Sequence, residues 1–396
     1  MSECSELRKK RIALLFWPKT GYQSEVLRGV RQYVENRPDW ECEAFFSNKE
    51  NIPLLAGWHP RGVVGMIESP PIAAAVAKMR VPSVDVACWF AKPPGARVGV
   101  DNHGLGVLAA DYLSGLGVAS FGFLGLTDAF FARERCRGFT EKLTVSGFTC
   151  NTLFLRNSDD PFGHNAYPAW WGEHPDLTRW LKTLPKPTGI LACTDQLAIA
   201  LLATCRSMEL PVPEKMAVLG IDDDDLLCSL AKPTLSSIKQ PMRQIGFEAG
   251  RLLNDILCGV AKADATVGLP PVEIVERAST RLGPGTISDP DVRAAAHFIR
   301  DHAGQDIHIG GLVNKLLVSR RSLELKFKRE IGHTIQEEIR RARVDKAKKL
   351  LTETDLPLKS VASQAGFSNV KTLSMAFRRH VGMTARKHRT MFRLRR

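Results

Sequence analysis

The sequence predicts an α/β unit of two lobes followed by an all-α unit that carries one short basic motif twice. Three observations lead there. Over residues 10–280, strand-sized apolar runs alternate with amphipathic helical stretches, the pattern of parallel sheets covered by helices on both faces. The net charge of +13 is confined to the end of the chain: from Thr286 onward there are 24 Lys/Arg against 11 Asp/Glu, while the residues before it carry 31 of each sign. Finally, "VSRRSLELKFKREIGHT" (318–334) returns fifty residues later inside "VASQAGFSNVKTLSMAFRRHVGMT" (361–384). Ser322-Leu323, Phe327, Lys328-Arg329, Ile331, Gly332 and Thr334 match Thr372-Leu373, Phe377, Arg378-Arg379, Val381, Gly382 and Thr384.

In chain order, "RIALLFW" (11–17) is a strand, followed by a helix over 22–37 with Val26, Val30, Tyr33 and Val34 on one face. "RGVVGMI" (61–67), "IAAAVAKM" and "VPSVDVA" (81–87) read as strand, helix and strand. "RVGVDNHGLGVLAADYLSGLG" (97–117) is a strand, an Asp-Asn capping signal and a helix. "SFGFLGL" (120–126), a helix near 133–146, "TCNTLFL" (149–155), "TGILACT" (188–194), a helix over 196–208, "MAVLGIDDD" (216–224) and a helix over 242–259 complete the series. So many β-α units exceed one six-stranded sheet, so two lobes with a cleft between them are expected. "RASTRLGPGTISDPD" (277–291) has the composition of a linker, which divides the chain into domains 1–282 and 283–396.

The composition excludes several classes. No apolar run approaches the roughly 20 residues that span a bilayer, and "MSECSELRKKR" is not followed by a signal-type apolar run. Nine cysteines are scattered without a C-x-x-C pair, as expected of reduced thiols in a cytoplasmic protein. P-loop, H-E-x-x-H and G-x-S-x-G patterns are absent, and "GLG" at 104–106 lacks the third glycine of a dinucleotide fingerprint. The chain therefore reads as a non-enzyme with no cofactor and no metal. "DDDD" (222–225) is suited either to a magnesium ion or to a cap and solvated turn, and His164 and His174 have no partners at metal spacing.

"RVGVDNHGLGVLAADYLSGLGVASFGFLG", "FARERCRGF", "GILACTDQLAIALLA" and "MAVLGIDDDDLLCSLAKPTLSSIKQP" resemble the periplasmic-binding-protein-like effector domain of LacI/GalR-type regulators, in order and spacing, over residues 10–280. That family's N-terminal DNA-binding headpiece has no counterpart before the first strand, so the sensor is expected to serve another reader. The resemblance implies that Arg133 extends into the cleft, that Asp195 at a strand's carboxyl end accepts from sugar hydroxyls, and that Asp222 lies at the next strand end. Clefts at the carboxyl ends of parallel strands are where open α/β sheets bind ligands. Arg and Asp suit vicinal hydroxyls, and aromatic faces suit the C–H side of a sugar. Phe16, Trp17, Phe130, Phe131, Trp170 and Trp171 are the candidate faces, core packing being the competing role. Asp195 has a competing role too, as a helix N-cap.

In the last 110 residues, Leu323, Phe327 and Ile331 form a stripe that leaves Arg320, Arg321, Glu324, Leu325 and Lys328 outside it. A longer helix over 334–351 carries Ile335, Ile339, Ala342 and Leu350. In the second copy Ala365-Gly366-Phe367 supplies the turn, with Ser368 or Asn369 as N-cap. There Leu373 and Phe377 face inward, and Lys371, Ser374, Met375 and Arg378 outward. A short apolar helix, a turn and a basic second helix make a helix-turn-helix. Two of them on one rigid helix can enter successive major grooves, about 34 Å apart. The stretch 289–390 resembles AraC/XylS-type DNA-binding domains, most closely in "GFSNVKTLSMAFRRHVGMTARKHR". Leu317 stands where that family has the turn glycine, so a distorted first turn is expected. The resemblance implies that Arg321, Glu324 and Leu325 face bases in the first copy, and Val370, Lys371, Ser374 and Met375 in the second. Lys328-Arg329, Arg378-Arg379 and the basic tail fall to phosphates.

The expected whole is a periplasmic-binding-protein-like domain ahead of an all-α double helix-turn-helix domain. It would be a sugar-responsive transcription regulator, pentose-directed, that partners double-stranded DNA and a second copy of itself and has no membrane contact. A nucleobase or other small metabolite as effector, and a sugar-acting enzyme domain with a DNA-binding tail, are the alternatives.

Overall fold

In the computed structural model, residues 9–17, 20–118, 120–156, 175–281, 289–331, 333–381 and 383–392 are described. The chain divides at Thr280/Arg281 into two compact units.

The first unit holds two six-stranded sheets. Strands β1 (Lys10–Leu15), β2 (Trp40–Phe45), β3 (Gly62–Gly65), β4 (Ser83–Asp85), β5 (Ala96–Val100) and, from much later in the chain, β11 (Thr266–Leu269) form an all-parallel sheet ordered β11-β5-β4-β3-β1-β2. The other sheet contains β6 (Ser120–Leu126), β7 (Cys150–Leu155), β8 (Thr188–Ala192), β9 (Met216–Asp222), β10 (Ser236–Lys239) and β12 (Glu273–Val275), ordered β12-β10-β9-β8-β6-β7. Only β12 runs antiparallel there. The central strands are apolar on both faces and fully buried (β3, β8 and β9 throughout), which is why they read as unbroken apolar runs. Strand β2, "WECEAF", escaped the sequence reading because its middle residues are partly exposed and polar at the sheet's edge.

Helices α1 (Gly21–Val34), α2 (Ile52–Gly57) and α3 (Pro70–Met79) belong to the first lobe. Helices α4 (Asn102–Ser114), α5 (Phe130–Val145), α6 (Pro175–Thr183), α7 (Asp195–Ser207) and α8 (Asp225–Leu230) belong to the second. Helix α9 (Met242–Leu257) returns to pack on α1. The chain thus passes between lobes three times, after β5, after β10 and after β11. Helix α4 starts where its capping signal places it, with the Asp101 carboxylate accepting from Gly104 N–H at 2.9 Å. It lies so close to α5 that a Cβ on Gly106 would collide with the Arg135 carbonyl, so only glycine allows this approach.

The second unit is helical: α10 (Pro290–Asp301), α11 (Ile309–Leu316), α12 (Arg320–Ile331), α13 (Ile335–Glu353), α14 (Leu358–Gln364), α15 (Val370–Val381) and α16 (Ala385–Phe392). It has two cores. Leu312, Leu323, Phe327 and the α10 face pack with Ile335, Ile339 and Ala342. Val361, Leu373, Phe377 and Val381 pack with Val344, Ala347 and Leu351. Helix α13 therefore serves both, its first half in one core and its second half in the other. Leu350 is only partly buried, against the second core.

Candidate functional site

At the carboxyl end of β9 the chain turns through Asp222 (φ 129°) and Asp223 (φ 55°), a backbone region that non-glycine residues occupy at a cost of order 1–3 kcal/mol. Each carboxylate of the 222–225 run has its own task. Asp222 accepts from Gln240 Nε2 at 2.6 Å. Asp223 pairs with Arg277 at 2.8 Å. Asp224 caps α8, accepting from Leu227 N–H at 3.2 Å, and also accepts from Gly21 N–H of the first lobe at 3.1 Å. Asp225 lies in the first turn of α8, where a negative charge suits the helix dipole. No group of three metal-ligating side chains occurs among the described residues.

A buried arginine, Arg135, adds its charge to the field at Asp222. It is 4% exposed, donates from Nε to Asn102 Oδ1 at 2.8 Å and from a terminal nitrogen to the Cys193 carbonyl, and lies over the Phe131 ring, 4.8 Å from its centroid. Burial raises the Asp222 carboxyl pKa, and the nearby Asp195 raises it further, against the pull of Arg135 and Gln240. From the first lobe, the Tyr22 hydroxyl donates to the Val86 carbonyl at 2.8 Å. Burial, then Cys88, Asp222 and Asp85, hold its pKa well above the ordinary range, with Arg135 opposing. Tyr22 is thus within electrostatic reach of the second-lobe acid and base.

Asp195 is fully buried and turned toward protein. Its oxygens accept from Ser237 Oγ at 2.6 Å, Asp224 N–H at 2.9 Å and Cys228 Sγ at 3.3 Å. The N-cap of α7 is Thr194, which accepts from Leu197 N–H, with Asp195 following it as the first helical residue. Asp195 therefore fastens the turn that carries Asp222.

Phe16 is buried just beyond β1. Trp17 is half-buried, its ring 5.4 Å from Phe46. Phe131 packs edge-on against Trp89 at 5.7 Å, and Phe130 lies beneath the Arg97 guanidinium at 5.2 Å. The Trp89 and Cys88 carbonyls accept from Phe130 and Phe131 N–H at 2.8 and 3.1 Å, so a first-lobe segment covers the N-terminus of α5. Trp170, Trp171, His164 and His174 lie outside the described residues.

In the helical unit, Arg321, Lys328, Arg329, Lys371, Arg378 and Arg379 are exposed, and Leu325 and Met375 are each 64% exposed. Arg320 pairs with Glu324 at 2.9 Å on the outer face of α12. Ser374 is half-buried, and Val370 packs partly into the second core. Ser319 caps α12, accepting from Ser322 N–H at 3.2 Å. Asn369 and Thr372 cap α15 reciprocally, with Thr372 N–H donating to Asn369 Oδ1 at 2.9 Å and Asn369 N–H to Thr372 Oγ1 at 3.3 Å. The first turn is not distorted: Leu317 adopts the left-handed conformation (φ 54°, ψ 38°) that Gly366 (φ 82°) adopts in the second.

Two domain families match the chain, a periplasmic binding protein-like domain over residues 110–280 and a helix-turn-helix domain over 312–391. The xylose operon regulatory protein of Escherichia coli strain K12 is 30% identical over 391 residues, which cover 96% of this chain and 97% of that one. The chain belongs to the family of xylose operon regulatory proteins. Its counterpart in Haemophilus influenzae is 29% identical over 96% of this chain and 98% of its own. Among solved structures, a xylose-binding transcription activator superposes over 98% of this chain and 99% of its own, with a TM-score of 0.60 and 29% identity. The first unit shares its fold with a cellobiose-bound transcriptional regulator (TM-score 0.56, 21% identity, covering 69% of this chain and 86% of that one). The chain is a sugar-responsive, DNA-binding transcription regulator. No helix among its described residues is long and apolar enough to cross a membrane.

One residue of the regulator's cluster escaped the sequence reading. Arg133 is exposed on α5, whereas Arg135 is buried. Phe131, Arg135, Gly138 and Phe139, at i, i+4, i+7 and i+8, are the buried face of this helix. That phase was available in the sequence, but a helix read as starting near 133 left Phe131 outside it.

Proposed function

We propose that this regulator senses a pentose, xylose first among them, and acts on transcription as an activator in the form of a homodimer. Arg135 and Asp222 would hold the sugar hydroxyls, with Phe16, Trp17 and Phe131 as its apolar walls. Arg135 replaces Arg133 in this proposal, and Asp195 supports the site from behind. The observation that carries the reading is that buried Arg135 and Asp222, the latter at a strained strand end, bear on one another and on Tyr22 of the other lobe through their charges. Strain and a displaced pKa at one place favour a ligand site. The relatives named for xylose support the choice of sugar. A sugar that favours one arrangement of the lobes would shift the dimer's hold on DNA by its difference in affinity for the two states.

Thermal unfolding of the purified chain with pentoses, hexoses and purines tests it. Xylose at 100 Kd adds roughly 2.7 kcal/mol of stability. Arg135→Ala raises the Kd about tenfold or more, since it removes a buried donor from the proposed site, while Arg133→Ala leaves it near that of the native chain. Stabilisation by a purine alone, or equal losses from Arg133→Ala and Arg135→Ala, would refute the site. On the DNA side, Arg321→Ala and Lys371→Ala each cost roughly 1–3 kcal/mol on the cognate duplex and relax base preference. Arg378→Ala weakens all sequences alike and lowers the salt slope by about 1.

A further inference from the structure

Helices α12 and α15 present the same outward pattern at an offset of fifty residues: Arg321 and Lys371, then Glu324 and Ser374, then Leu325 and Met375. The cation and the apolar residue are four apart, so they lie together on one helix face. Leu325 and Met375 are each 64% exposed and belong to neither core. Among the described residues, Arg321 and Lys371 make no ion pair, unlike Arg320 beside them, which Glu324 holds. A large apolar side chain at the same exposed position of two basic helices calls for an apolar partner in an otherwise polar surface. The major groove offers one, the 5-methyl group of thymine, beside the O6 and N7 acceptors of guanine.

We infer that Leu325 and Met375 each pack on a thymine methyl, next to a guanine taken by Arg321 in one groove and by Lys371 in the other. The recognised site therefore holds two guanine–thymine contacts about one helical turn apart, roughly 10 base pairs. The two are unequal: arginine's fork meets both guanine acceptors, whereas lysine offers a point charge. The first contact is the stricter.

This inference rests on the DNA-binding reading of the helical unit. The test uses the full-length chain and a random 40-base-pair duplex library. The selected duplex is then remade with single thymines replaced by deoxyuridine, which removes the methyl and leaves pairing intact. At two thymines about one turn apart, the replacement weakens binding about fourfold, the worth of one buried methylene-sized group. Leu325→Ala abolishes the sensitivity at one of them only, and Met375→Ala at the other only, with unchanged thermal unfolding because both side chains are exposed. Tolerance of deoxyuridine at every thymine overturns the inference, and so does sensitivity that survives both substitutions. If Leu325→Ala and Met375→Ala leave DNA affinity untouched, these faces serve a protein partner instead. Failure of the native chain to select any duplex refutes the DNA-binding reading itself, a result distinct from selection without methyl sensitivity.

Discussion

The two helix-turn-helix units reach one geometry by different means. In both, a residue just past the first helix turns left-handed, the cap Leu317 in one and Gly366, one beyond the cap Ala365, in the other. In both, the next residue donates back to the carbonyl five before it, Val318 to Val313 at 3.4 Å and Phe367 to Ala362 at 2.8 Å. The second turn then has one residue more before its helix begins, since these bonds align at an offset of 49 and the second helices at 50. The difference lies in the surroundings. The Leu317 side chain is 92% exposed, so only the backbone conformation opposes it. At Gly366 a Cβ would stand 2.5 Å from the Ala303 carbonyl oxygen, so space opposes a side chain as well. A left-handed turn tolerates leucine in the open and demands glycine where another helix end abuts it.

The largest effect separates these two cases. Gly366→Ala combines a strained φ with a collision against backbone, and is expected to cost roughly 2–4 kcal/mol. All seven tryptophans lie before residue 181, so their emission reports the α/β unit alone. The expected result is loss of helical circular dichroism at lower temperature with the tryptophan transition in place. If Gly366→Ala is as stable as the native chain, the contact with Ala303 does not constrain the turn.

A second contrast is chemical. Thr334 and Thr384 cap α13 and α16 at equivalent positions, accepting at 3.2 Å from Glu337 and Lys387 N–H. Four residues on from each cap a polar side chain is buried: Glu338 in the first, bonded to His333 at 2.9 Å, and His388 in the second, its ring 5.2 Å from that of Phe377. Burial would raise the Glu338 carboxyl, but the hydrogen bond from His333 and the charges of Arg281 and Arg300 outweigh it and hold the pKa at about 2. A carboxyl with a depressed folded pKa stabilises in full above its unfolded value, near 4.5, and loses that contribution as pH falls toward 2. The whole contribution is about 3 kcal/mol. Between pH 5 and pH 3 the first helix-turn-helix is expected to loosen before the second, seen as hydrogen exchange, corrected for intrinsic rate, rising over 290–340 ahead of 358–390. Glu338→Gln flattens that pH dependence. Equal loosening of both units at acid pH would place the sensitive group elsewhere.

The same contrast shows what the sequence carries. The Leu323, Phe327 and Ile331 stripe was legible because helix phase is local, and the structure buries the first two completely and the third in part. The strand end at Asp222 was legible too, as an apolar run that meets an acidic turn. The role of Asp195 was not, because its partners Asp224, Cys228 and Ser237 stand 29 to 42 residues away on elements that only the folded sheet brings together. Arg135 lay between these cases. Its burial follows from helix phase, but a boundary misplaced by three residues removed the reference for that phase. Leu317 is the opposite case: a missing glycine points to a distorted turn, although a left-handed leucine is costly rather than forbidden.

That cost gives the smallest and sharpest test of the comparison. Leu317→Gly removes a left-handed penalty of about 1–2 kcal/mol and returns part of it, because glycine leaves the unfolded chain more freedom to lose. The exposed leucine side chain contributes little packing to offset the change. A net stabilisation of about 1 kcal/mol is expected for the first unit, against a loss for Gly366→Ala in the second. The asymmetric glycine preference of the two turns would then come from φ alone in one and from φ and space together in the other. Leu317→Asn supplies the check, since asparagine tolerates the left-handed region better than leucine without glycine's added freedom. It should recover part of the gain. If both variants destabilise the first unit while DNA affinity also falls, Leu317 holds a contact beyond its own turn, and the two units differ in packing rather than in backbone strain.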